Sequence, residues 1–156
     1  DTLEGEILKT HERLDIFEHP IAHENTFLSE QNLNRYFAWF DQALAVVKDQ
    51  PEYLLHVRTA RLPLQYATME IGKKHMLADR GWFVTDGKKF ILRERMVNLL
   101  EDFHQTCIDA GVRTLHEVGP SPEEYYQSTK QLLQSTMDDN QASPKTAAAH
   151  VFPSPE

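Results

Sequence analysis

The sequence predicts an all-α fold, a bundle of about five helices with one aromatic loop or short hairpin. Three observations predict it. Apolar residues recur at three- and four-residue intervals through most of the 156-residue chain. Ser, Pro and Gly stand where helices start and stop. The stretch "WFVTDGKKFIL" breaks the helical pattern, and its Asp86-Gly87 is the dipeptide of a tight two-residue turn between short extended arms.

The first expected helix runs from about Leu3 to Glu18, with Leu3, Ile7, Leu14 and Phe17 at helical spacing and Pro20 beyond its end. Ser29 is the expected N-cap of the second, with Asn32 three residues on and a stripe of Leu33, Phe37, Phe40, Leu44 and Val47. Asp49 or Gln50 then caps a long third helix that opens on Pro51, a proline-tolerant first position. It reaches about Leu77 with two apolar stripes, one through Val57, Leu64 and Ile71 and one through Leu55, Leu62 and Met69, which marks it as central. Pro63 is expected to bend it, and Gly72 to weaken it. A fourth helix spans about Leu92 to Ala110 with Met96, Leu99, Leu100, Phe103 and Cys107 inward and Gly111 as its stop. The last starts on Ser121 as cap, Pro122 at the first position, and Glu123 and Glu124 at the positive helix end.

Length and composition describe one globular domain. Hydrophobic residues make up 40% and charged residues 26%. A formal net charge of -8 argues against a nucleic-acid surface, which needs clustered Lys and Arg. No apolar run approaches the roughly 18 residues of a membrane span. The single cysteine, Cys107, excludes an internal disulfide and lies in an apolar helical context, which favours a buried thiol over a nucleophile. Residues 1–140 form the expected helical domain. Residues 141–156, including "SPKTAAAHVFPSPE", read as a linker, so the chain is expected to be a piece of a larger protein.

Candidate chemistry is sparse. His19 and His23 are four apart, but Pro20 lies between them, and neither an HExxH motif nor a cysteine pair occurs. No metal or cofactor is assigned, and the histidines read as surface or capping residues. His104 has the residue type of a phosphoacceptor, but Glu101 and Asp102 precede it and disfavour an added dianion. Most glutamates, Glu94, Glu101 and Glu124 among them, read as solvated helix faces. Glu117 stands apart, between the short apolar stretch "GVRTLHEVG" and a Gly-Pro turn, and is a candidate at a cleft edge. Arg80, Trp82 and Phe83 place a hydrogen-bonding fork beside stacking rings, the pairing that binds a sugar; the plainer reading has both rings plugging the bundle.

Arg58 and Arg61 share a helix face just before Pro63. Pairing across the bundle with Glu94 or Glu101 is the bland expectation. Bidentate contact with a neighbouring domain or a carboxylate ligand is the sharper one. Arg58, Arg61 and Pro63 are together assigned a structural or interdomain role.

Two stretches carry a resemblance: "YLLHVRTARLPLQYATMEIG" and "LLEDFHQTCIDAGVRTLHEVGPSPEEYY". Together they resemble the helical C-terminal region of an uncharacterised family of secreted, α-glucuronidase-like glycoside-hydrolase proteins, chiefly of Bacteroidetes-type bacteria. The resemblance implies a secreted or cell-surface protein in which a (β/α)-barrel precedes this region and a β-sandwich follows. It implies an accessory, non-catalytic domain that packs on the barrel and borders a sugar cleft, with an oligosaccharide as candidate ligand of Trp82, Arg80 and Glu117. The alternative is an interaction bundle with no sugar role.

Overall fold

The structure is a computed structural model that describes residues 18–78, 89–117 and 119–141. Among them are four α-helices, α1 (Glu30–Val47), α2 (Pro51–Ala78), α3 (Lys89–Asp109) and α4 (Pro122–Gln141), preceded by a 3-10 turn at Pro20–His23. No strand occurs among the described residues, so the fold is all-α as the periodicity predicts. The helix expected before Glu18 and the Asp86-Gly87 turn lie outside the described residues.

The starts of α1, α2 and α4 have chemical causes. The Ser29 side chain accepts from the Asn32 amide at 3.4 Å, while the Asn32 side chain turns back to donate to the Thr26 carbonyl at 3.0 Å. Gln50 supplies the first carbonyl of α2, accepting from the Leu54 amide at 2.8 Å. Ser121 and Glu124 form a reciprocal capping box at α4: the Glu124 amide donates to Ser121 Oγ at 3.2 Å, and the Ser121 amide donates to the Glu124 carboxylate at 2.8 Å. The Ser121 backbone and hydroxyl accordingly hold the Glu124 carboxyl below its ordinary value. At the end of α3, Gly111 takes φ 67°. Its amide donates to the Ile108 carbonyl at 3.1 Å and the Val112 amide to Cys107 at 2.9 Å, the paired bonds of a Schellman cap.

Helix α2 runs unbroken through Pro63. It lies antiparallel to α3, and side chains facing each other step along both helices together. Arg58 meets Asp109, Gln65 meets Asp102, and Gly72 meets Met96. Steps of about seven residues on each side are the signature of near-parallel helix packing. Gly72 does more than weaken α2. A Cβ there would lie 2.7 Å from Met96 Sδ, so the missing side chain makes room for the methionine.

The core gathers on the middle of the bundle. All five α3 residues expected inward, Met96, Leu99, Leu100, Phe103 and Cys107, are buried. Rings of Tyr66, Phe103 and Tyr125 meet at centroid separations of 5.4–6.4 Å and join α2, α3 and α4. The α1 stripe is buried only in its first half, at Leu33 and Phe37; Phe40, Leu44 and Val47 are half-buried. Buried Gln65 and Thr68 share the centre of α2 with its apolar stripes, and each is bonded: Thr68 to the Leu64 carbonyl at 2.7 Å, Gln65 to Asp102 at 2.6 Å.

Among the described residues two histidines depart from the surface reading, since His23 and His75 are buried. His19 does act as a cap, its Nδ1 accepting from the Ile21 amide at 3.2 Å.

Candidate functional site

Three of the residues singled out in the sequence lie on α2. Arg58 Nη1 donates to Asp109 at 2.9 Å, and its Nη2 is 3.5 Å from Asp102. Arg61 Nη2 is 3.5 Å from Asp41 of α1. The expected partner Glu101 is not used. The α2–α3 register turns Asp102 and Asp109 toward α2 and leaves Glu101 facing α4, where the Tyr126 hydroxyl donates to it at 2.8 Å. Glu94's side chain, Arg80 and Trp82 lie outside the described residues.

Glu117 is exposed, in the connection between α3 and α4. That connection leaves α3 after Asp109, at the end of a 21-residue helix about 30 Å long.

His104 is engaged. Its Nε2 lies 2.8 Å from Glu123, and its ring stacks on Tyr126 with centroids 4.2 Å apart. Cys107 is buried, and burial pushes its thiol up to about 11, away from nucleophilic use at neutral pH. Among the described residues no group of three or more His, Cys, Asp and Glu is placed to hold a metal ion.

Two polar constellations remain. The first surrounds Glu70, which no local pattern marked. Tyr125 donates to Glu70 Oε1 at 2.7 Å, His19 Nε2 lies 3.2 Å from Oε2, and Lys73 pairs with it from the next turn of α2. Lys73 also lies 4.4 Å from the Tyr125 ring centroid. Burial alone would raise the Glu70 carboxyl; the bond and charge of Lys73, with Tyr125 and His19, outweigh it and hold the group below its ordinary value. Tyr125 moves the other way, driven up by burial and then by the Glu70 charge. The segment carrying His19 is fastened to α2 reciprocally, since His75 of α2 pairs with Glu24. Glu70 thus stays a carboxylate and Tyr125 a phenol, a fastening rather than an acid–base pair.

The second constellation lines an open cleft of about 530 Å³ between α1, α2 and α3. Phe37 and Leu99 give it an apolar wall, and Arg61, Arg95, Asp41 and Asp102 a charged one. Both guanidinium groups lie over the Phe37 ring, at 4.9 Å for Arg61 and 5.7 Å for Arg95. Arg95 Nη2 donates to Asn34 at 2.9 Å. A separate apolar groove of about 370 Å³ runs past Pro20, Pro63, Tyr66, Cys107 and Leu115.

Comparison with protein families, with curated proteins and with solved structures finds no match to this chain.

Proposed function

We propose that this chain is a non-catalytic accessory helical module that works by packing one end of its bundle on a neighbouring domain, in the carbohydrate-active protein that the resemblance implies. The observation that carries this reading is a set of large apolar side chains exposed at one end. Val46, Tyr53 and Ile108 are 77%, 57% and 57% exposed. They sit where α1 turns into α2 and where α3 finishes. Single exposed apolar side chains are ordinary, but several gathered at one end of a bundle offer the start of an apolar patch that a partner can cover. Arg58, toward the same end, is bonded to Asp109 and approaches Asp102, joining α2 to α3.

The interior supports a non-catalytic role. Its buried thiol and phenol are driven toward their unreactive protonated forms, and its buried carboxylate is locked to a lysine. The purified chain is expected to release no aglycone from aryl glycosides. Turnover abolished by a single Glu or Asp substitution would overturn the non-catalytic reading.

Packing is tested by hydrogen exchange, comparing the isolated chain with the same chain inside its parent protein. Slower exchange across residues 46–58 and 105–110 in the parent is expected, and equal exchange would remove the docking reading. The sugar role rests on Arg80 and Trp82. In the parent protein Trp82→Ala should weaken oligosaccharide binding with the fold intact, whereas unchanged affinity with lost stability would assign Trp82 to the core.

A further inference from the structure

We infer that the cleft between α1, α2 and α3 is a binding site for a small monocarboxylate with a flat apolar body, held through Arg61. The inference does not rest on the docking reading, which concerns the end of the bundle. It starts from a deficit of acceptors. A guanidinium offers five N–H donors and normally finds acceptors for them when buried. Arg61's side chain is only 17% exposed, yet among the described residues it makes no hydrogen bond. Its Nε is closed off from solvent without a partner, and among the described residues its one ion pair is the 3.5 Å approach of Nη2 to Asp41, itself 64% exposed. Asp41 holds it loosely and from the rim.

The rest of the cleft fits a monoanion. Asp102 is already taken by Gln65 at 2.6 Å and Arg58 at 3.5 Å, so its charge is answered from outside the cleft. Arg95 adds a second cation above the same Phe37 ring. Against these stand two carboxylates in the walls, which would oppose a dianion such as phosphate more than a single carboxylate. A carboxylate displacing Asp41 would accept from the Arg61 fork, with its apolar body against the narrow edges that buried Phe37 and Leu99 still present to the cleft. A volume of about 530 Å³ suits a small ligand rather than a protein segment.

The test is titration of the nitrogen-15-labelled chain with benzoate and with benzamide, a neutral ligand of nearly the same shape, followed by amide shifts. Benzoate should give saturable shifts at Phe37 and Leu99, with benzamide at least about tenfold weaker. Arg61→Lys keeps the charge but loses the fork, and should weaken benzoate about tenfold with an unchanged thermal midpoint. Asp41→Asn removes the competing carboxylate at an exposed position and should tighten benzoate about two- to fivefold. Equal affinities for benzoate and benzamide would overturn the inference, as would shifts confined to Val46, Tyr53 and Ile108. Should Arg61→Lys fail to fold, Asp41→Asn decides alone, and unchanged or weaker binding there would equally overturn it.

Discussion

Glu70 and Arg61 stand nine residues apart on one helix and are almost equally buried, their side chains 13% and 17% exposed. Their surroundings are opposite. Glu70 is met by a tyrosine, a histidine and a lysine from three parts of the chain. Arg61 is met by one distant, exposed aspartate and the face of a phenylalanine. Burial alone therefore does not say what a charged residue is for. A buried charge whose bonding capacity is filled belongs to the framework, and one whose capacity is left open is available to something else.

The comparison breaks first at Glu70. Replacing Glu70 with Ala leaves the Tyr125 hydroxyl, the Lys73 ammonium and the His19 ring without their shared acceptor. A loss of about 2–4 kcal/mol is expected, because removing one partner strands the others in a desolvated place. In a domain of this size that lowers the thermal midpoint by about 5–15 °C. A loss under about 1 kcal/mol would put Glu70 among the loosely held groups and dissolve the contrast with Arg61.

The same carboxylate sets an acid limit. Its value in the folded chain lies below the ordinary 4.5, so the unfolded chain binds the proton more readily. The stability it contributes is fully present above pH 4.5 and is lost as pH falls through the lower folded value. Denaturant midpoints measured between neutral pH and pH 3 should fall more steeply for the parent than for Glu70→Gln, which cannot titrate. Parallel curves would show that other carboxylates carry the acid transition.

Gly72 and Met96 sharpen the comparison on the apolar side of α2. Gly72→Ala gains helix propensity of about 1 kcal/mol but drives a methyl to 2.7 Å from Met96 Sδ in a buried place. The net result should be a loss of up to about 2 kcal/mol. Met96→Ala in the same chain should make the glycine substitution neutral or favourable, a coupling that chemical denaturation of the four variants measures. Additive losses would mean that the methionine simply moves aside.

What was legible in the sequence was whatever repeats locally. The α3 stripe from Met96 to Cys107, the Ser121 cap and the Gly111 stop are each written within a few residues, and each is found in place. Glu70 and its partners are not written that way. Tyr125 and His19 come from 55 residues after it and 51 before it, a separation no period encodes. Lys73, three residues on, is the one partner at a local spacing. The arginine pair was legible as a pair, but its partners were not. Choosing Asp102 and Asp109 over Glu101 needs the α2–α3 register, in which Gly72 faces Met96 and Arg58 faces Asp109.

The smallest effect divides the arginine pair itself. Arg58 makes a 2.9 Å bond to Asp109 and a longer approach to Asp102, so Arg58→Lys loses a fork while keeping the charge. Its side chain is 24% exposed and its partners more so, which limits the loss to about 0.5–1 kcal/mol, shrinking as salt screens the pair. Arg61→Lys should cost less still, because among the described residues Arg61 has no hydrogen bond to lose. The double variant should therefore melt where Arg58→Lys melts, in low and in high salt. A further drop of more than about 1 kcal/mol on adding Arg61→Lys would make Arg61 a structural clamp like Glu70. It would also remove the reason for reading its cleft as a ligand site.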